Sequence, residues 1–150
     1  MLKGMSRSEG EAVMKGRGAI TISLFALLLA VMQLISNGNS GKILTNTMMI
    51  SDTWSFYQSK SIKQSLAEYA QEDAISRKDT KRADDLQKKI DRYETEPSTG
   101  EGKKELMQKA RQLESERAIA QKKGPWYSIS ITLVQIALVL SSTAILAVSM

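Results

Sequence analysis

Three acidic side chains near the middle of the chain have the spacing of a cation site. Glu68 and Glu72 are four positions apart and Asp73 follows, so a helix would place two carboxylates on one face. Paired acids on an exposed helix are usually only solvated, and Lys63 and Arg77 lie close by. The pattern therefore favours a solvated helix surface over a metal-dependent enzyme or regulator.

A second group of side chains has the chemistry of a lipid surface. Lys60 and Lys63 could reach anionic headgroups, and Trp54 and Phe56 are aromatic residues of the kind that favour the membrane interface. This group supports the alternative function of a membrane-surface or lipid-binding protein, or a scaffold.

The composition excludes several classes of chemistry. The chain has no Cys and no His, so it lacks thiols, zinc-thiolate sites and the commonest general base. Its 21 basic and 16 acidic residues are interleaved, whereas a nucleic-acid footprint would be clustered. We therefore expect no catalysis, no cofactor, no bound metal, no nucleic acid and no small-molecule substrate.

Two charge-free segments, residues 18–41 and 124–150, determine the predicted architecture. About 20 apolar residues suffice for a helix to cross a bilayer. We predict an all-α membrane protein with a polar tail at 1–18, transmembrane helices at 19–36 and 125–149, and an extramembrane helical hairpin at 42–123. The first segment could instead be a signal peptide, although it is longer than a usual signal core.

Apolar residues recur mostly at steps of three and four in the charged middle, which predicts coiled-coil-like helices. Residues 96–102 contain Pro and Gly and are predicted to reverse the chain between two short arms. Residues 37–41 could break the first helix, and Pro125 suits the first turn of the last. The three series are Leu44, Met48, Ile50, Trp54, Tyr57, Ile62, Leu66 and Tyr69; Ala83, Leu86, Ile90 and Tyr93; and Leu106, Ala110, Leu113, Arg117 and Ala120, in which Arg117 is the one exception to the apolar pattern.

Small and polar residues form one stripe in each apolar segment, and such stripes let membrane helices approach closely. The amides of Gln33 and Gln135 would each need a partner in lipid. The alternative is that the hydroxyl groups bond back to their own helix. The predicted packing residues are Ala19, Ser23, Ala26, Ala30 and Gln33 in the first segment, and Ser128, Thr132, Gln135 and Ser142 in the second.

Aromatic residues beside both apolar segments predict contacts with the membrane interface, namely Trp54, Phe56, Tyr57, Trp126 and Tyr127. Packing of the first three against a neighbouring helix is an equal alternative. The basic residues Lys3, Arg7, Lys15 and Arg17 precede the first segment, which favours a cytoplasmic N-terminus and a hairpin on the other side. Lys122 and Lys123 favour the opposite orientation of the hairpin.

The stretch from Ser51 to Gln64 (SDTWSFYQSKSIKQ) and that from Leu133 to Ser142 (LVQIALVLSS) strongly resemble the bacterial membrane proteins grouped as domain of unknown function 4337. The resemblance covers roughly residues 19 to 149 and implies a location in the bacterial inner membrane, but it carries no activity. It also implies a short basic loop and a third span after the second, so this sequence would be a shortened member or lack a C-terminal part.

These observations together predict a structural or accessory subunit of a membrane assembly. Its expected partners are the lipid bilayer and other membrane subunits, or further copies of itself. Two spans and a short helical hairpin offer little burial, so a monomer is not expected.

Overall fold

The computed structural model describes the backbone of residues 7–148 and the side chains of residues 9–147. Three helices account for most of it: α1 (Arg7–Ser76), α2 (Thr80–Glu94) and α3 (Lys103–Val148). No strand occurs in the described part of the chain. The predicted all-helical class is therefore confirmed. Two of the helices are long and apolar enough to cross a membrane by length and composition.

The chain divides into two compact units. The terminal unit combines residues up to Gly41 with those from Ala120 onward, and the middle unit is Lys42–Ile119. Each unit pairs a part of α1 with a part of α3, and the middle unit also contains α2.

Both long helices bury residues at alternating steps of three and four, which is heptad spacing. In the terminal unit, the better-buried positions of α1 are Gly18, Ile22, Phe25, Leu29, Met32, Ser36 and Asn39. In the middle unit they are Ile43, Asn46, Ile50, Thr53, Tyr57, Lys60, Gln64, Ala67, Gln71 and Ala74. We call each series the seam of its unit.

The helices extend beyond several of the predicted segments. The tail predicted at 1–18 is helical from Arg7, and residues 1–6 lie outside the described part. The helix continues through residues 37–41, because two new helix ends would each leave unpaired backbone groups. The Asn39 amide also donates to the carbonyl of Ala120 at 2.9 Å, within the terminal unit.

Pro125 lies inside α3 and not in a first turn. A proline there removes one backbone hydrogen bond. The helix nevertheless runs from Lys103 to Val148, so residues 125–148 of the predicted span are part of a longer helix, and residue 149 lies outside the described part.

The chain reverses at Arg77–Asp79, and not at residues 96–102 as predicted. The amide of Asp79 donates to Ala74 O and that of Lys78 to Ile75 O, both at 2.9 Å, which is a Schellman motif. Lys78 has φ 60°, the left-handed conformation this motif needs. Asp79 then caps α2 by accepting from the amide of Arg82 at 3.1 Å.

After this turn, α2 and α3 pack in succession along α1 in the middle unit. Gln71 of α1 donates to Gln87 of α2 at 2.8 Å, whereas Trp54 of α1 donates to Glu114 of α3 at 3.0 Å. Residues 95–102 thus join two helices that run in the same direction. Gly102 leaves no room for a side chain here, since a Cβ atom added at this position would lie 2.8 Å from Thr95 Cα.

Candidate functional site

The predicted stripe of the first apolar segment lies outside the seam of the terminal unit. All five of its residues are exposed, namely Ala19, Ser23, Ala26, Ala30 and Gln33. The seam residues Gly18, Ile22 and Phe25 occupy neighbouring positions and are better buried. The stripe is therefore not used to pair the two helices of this unit, and its role as a contact surface stays a prediction.

The stripe of the second segment is similarly placed. Ser128, Thr132 and Gln135 are exposed, and Ser142 is half-buried. The hydroxyl groups of Thr132 and Ser142 donate to the carbonyls of Ser128 and Leu138, at 2.9 and 2.8 Å. This is the self-bonding alternative, and it leaves these hydroxyls satisfied without a second helix.

The two glutamines differ from the hydroxyl residues. The side-chain amides of Gln33 and Gln135 make no hydrogen bond to the part of the chain that the structure describes. Ser23, by contrast, donates to Ala19 O at 2.9 Å. In hydrocarbon an amide without a partner is costly, so the glutamines are the stripe residues most in need of a neighbouring helix.

The first aromatic cluster packs within the middle unit. The Trp54 indole donates to Glu114 Oε1, and its ring meets that of Tyr57 edge-on with centroids 5.4 Å apart. Trp54 and Tyr57 therefore pack within the middle unit, and their contact with the membrane interface stays a prediction. In the terminal unit Trp126 is 72% exposed and Tyr127 is half-buried.

The structure also contains a buried ionic cluster that sequence reasoning missed, where α1 meets the joint between α2 and α3. The Lys60 side chain is 10% exposed, with its Nζ 3.8 Å from Glu96 Oε2 and 3.6 Å from Glu101 Oε2. The same ammonium lies 5.3 Å from the ring centroid of Phe56 and 5.7 Å from that of Tyr93. Two carboxylates and two aromatic rings thus surround one cation.

Glu96 is the second centre of this cluster. Arg92 Nε donates to Glu96 Oε1 at 2.6 Å, and the backbone amide of Glu96 donates to Glu105 Oε2 at 3.1 Å. The hydrogen bond from Arg92, with smaller contributions from the positive charges of Arg92 and Lys60, lowers the pKa of Glu96 below its ordinary value. The cluster consequently ties α1, α2 and α3 together through charges.

A cavity of about 260 Å³ adjoins the cluster, lined by Lys60, Lys89, Arg92, Tyr93, Glu96 and Glu101. Four of its charged side chains, those of Lys60, Arg92, Glu96 and Glu101, are already paired with one another, which favours a structural role over a ligand site. The sequence signal for the cluster is a lysine at a heptad position of α1, since a seam position is usually apolar.

Two of the three acidic residues considered for a cation site, Glu68 and Asp73, already have partners. Glu68 accepts from Gln64 at 3.0 Å, and Asp73 pairs with Arg77 at 3.0 Å. No group of three potential metal-ligating side chains occurs among the described residues. Of the residues considered for lipid binding, Lys60 and Trp54 are engaged inside the middle unit, and Lys63 is exposed.

A comparison with protein families agrees with the resemblance of the two quoted motifs. The family model described as Domain of unknown function (DUF4337) matches residues 14–150, which is nearly the whole chain. No curated protein and no solved structure matches the chain. The family description assigns no activity.

Proposed function

Because the chain belongs to the DUF4337 family, which is defined without a function, we propose from its own residues that it is a structural or accessory subunit of a membrane assembly. In this proposal the protein is a non-catalytic, multi-pass protein of the bacterial inner membrane. Its partners are the lipid bilayer and other membrane subunits, or further copies of itself.

The surface of the terminal unit supports insertion into a membrane. The most apolar 18-residue window of each long helix contains no buried residue, whereas the apolar core helix of a soluble protein would be covered. Leu24, Leu34 and Leu133 are each more than 60% exposed. Lipid is the solvent in which such a surface is favourable.

The observation that carries the assembly proposal is the exposure of Gln135 in the middle of an apolar helix. The seam of its own unit does not cover Gln135, and no described residue forms a hydrogen bond with its side-chain amide. A neighbouring membrane helix would supply the missing hydrogen bond, a contact worth about 0.6 kcal/mol on average.

We predict that Gln135→Leu, and the double change Ser128→Leu with Thr132→Leu, weaken assembly while insertion is unchanged. The first removes the amide, and the second enlarges the small stripe that permits close approach. Ala144→Leu is the matched control for added bulk, because Ala144 is exposed and lies about 160° around the helix from Ser128 at 100° per residue. The measurement is native mass analysis in mild detergent.

If the wild-type protein is a lone monomer under every gentle condition, the proposal loses its physical basis. The same conclusion follows if the stripe variants retain their partners in wild-type amounts.

We further propose that the N-terminus is cytoplasmic and that the middle unit lies on the other side of the membrane. The support is the basic charge before the first span, which usually dominates orientation. A Thr99→Cys variant is a clean probe, since the chain has no other Cys and Thr99 is exposed. We expect membrane-impermeant thiol reagents to label it in intact cells. Labelling that requires a membrane-permeant reagent would reverse the assignment.

A further inference from the structure

The helix α2 has few apolar contacts with the rest of the middle unit. Of its 15 residues only Ile90 is buried, and ten are exposed. Nine of the 15 are charged, so water solvates most of this helix. By contrast, the first eight residues of α3 include both Leu106 and Ala110, which are 5 and 0% exposed. The apolar attachment of α2 is therefore weaker than that of α3.

Polar contacts near the two ends of α2 supply much of its remaining attachment to α1. At one end, Gln71 of α1 donates to the side chain of Gln87 at 2.8 Å. At the other end, Lys60 Nζ lies 3.8 Å from Glu96, just after α2, and 5.7 Å from the ring centroid of Tyr93. We call these two sets of contacts the latches of α2. Water replaces such contacts when they break, so the net contribution of each is modest.

The contact between α1 and α2 is also incompletely filled. A cavity of about 630 Å³ adjoins the first latch and is lined by Gln71, Ile75 and Gln87 among others, and the cavity of about 260 Å³ adjoins Lys60. On the seam between the two latches, Gln64 Oε1 is buried and accepts no hydrogen bond from the described residues. A buried acceptor without a partner disfavours this closed arrangement relative to one in which water reaches the seam.

The last part of the α1 seam depends on α2 for its cover. Lys103, the first residue of α3, lies with its Nζ 5.6 Å from the ring centroid of Tyr57. From there α3 runs back along α1, since Glu116 pairs with Lys42 at 3.6 Å. Ala67 lies beyond the start of α3 and between the two latches, and it is 8% exposed. Of the described helices, α2 is the one placed to cover it.

We propose that α2 is a strap, which opens as a unit while α1 and α3 stay paired and thereby uncovers the seam of α1 around Ala67. The turn at residues 77–79 holds one end of the strap, and residues 97–101, all exposed, give slack at the other. An isolated helix of this length is marginally stable in water, so α2 depends on its latches. The latches thus control access to this part of α1, whichever function the protein has.

The absence of Cys from the chain permits a direct test on the full-length protein in detergent. Ala67→Cys reports on the surface under the strap, and Ala110→Cys is the control, because Ala110 is buried on α3. A water-soluble maleimide reacts with either thiol only when the surrounding structure opens. Relative to its rate in denaturant, Ala67→Cys should react about tenfold faster than the control, since α2 opens more often than the whole unit.

Weakening one latch separates opening of the strap from any resting exposure. Lys60→Met keeps a long side chain but removes the charge that meets Glu96 and Tyr93. It should speed labelling of Ala67→Cys about threefold and leave that of Ala110→Cys unchanged. Lys63→Met is the matched control, because Lys63 is exposed, and it should change neither rate.

Equal relative rates at the two cysteine positions would overturn the proposal, because the middle unit would then open as one body. Acceleration of both positions by Lys60→Met, or of neither, would also overturn it. If a cysteine variant loses helical content, hydrogen exchange of the wild type decides instead. Faster exchange across residues 80–94 than across residues 104–118 supports the strap, and equal exchange overturns it.

Discussion

Replacing Leu28 or Leu138 by Arg is expected to prevent normal membrane insertion. Both residues lie in the charge-free segments, and Leu28 is 46% exposed on the surface of its helix. A cation at the centre of a membrane-spanning helix costs about 2.5 to 3.5 kcal/mol on insertion scales. The measurement is the share of full-length protein recovered in the membrane fraction after alkaline washing.

Ile75→Arg is the matched control for both changes. Ile75 is 60% exposed, but it lies near the far end of the charged middle unit, where an added cation meets water. Its membrane yield should equal that of the wild type. Normal yields of Leu28→Arg and Leu138→Arg as well would show that neither apolar segment spans a bilayer.

The helical class could be predicted because it depends on local patterns. The charge-free lengths of residues 18–41 and 124–150 leave few alternatives to long helices. The series Ala83, Leu86, Ile90 and Tyr93 likewise matches the buried side of α2, where Ile90 is buried and the other three are half-buried. Such signals need no knowledge of the rest of the chain.

The main turn could not be predicted, because its signal is unusual. Residues 96–102 contain Pro and Gly, the ordinary marks of a chain reversal. The actual reversal uses Lys78 in a left-handed conformation that usually selects Gly. Asp79 is the visible clue, as a residue type that caps a following helix, but by itself it predicts a helix start and not a turn.

Periodicity alone also cannot predict which face of α1 is buried. The apolar series from Leu44 to Tyr69 predicts burial of Met48, Ile62 and Leu66, yet these are exposed while Lys60 is buried. Which face packs inward depends on what α2 and α3 offer, here the carboxylates of Glu96 and Glu101. Those partners are distant in sequence, so the site emerges only from the tertiary fold.

The buried position of Lys60 leads to a prediction about stability. Lys60→Ala removes the cation from the rings of Phe56 and Tyr93 and from two carboxylates. At about 1 kcal/mol for each partly desolvated ring, the middle unit should lose about 2 kcal/mol of stability. Lys63→Ala is the control, because that side chain is exposed and should change stability by less than about 0.5 kcal/mol.

The measurement is hydrogen exchange across residues 80–94 of the full-length protein in detergent, together with thermal melting. Faster exchange in Lys60→Ala than in Lys63→Ala would confirm that the cation holds α2 against α1. Equal exchange in the two variants would show that the ionic cluster contributes nothing to this packing.

The same cluster predicts a loss of stability in acid. The pKa of Glu96 is lowered, first by the hydrogen bond from Arg92 and also by the charges of Arg92 and Lys60. A group whose pKa is lower in the folded state stabilises the fold above its ordinary pKa, and this contribution disappears as the pH falls through the lowered value. As the pH is lowered below the ordinary glutamate pKa, the thermal midpoint of the wild type should therefore decrease. The decrease should be less steep in Lys60→Ala, which keeps Arg92 but lacks the lysine charge. A wild-type midpoint that is constant from neutral pH down through that range would show that the ionised form of Glu96 does not stabilise the joint.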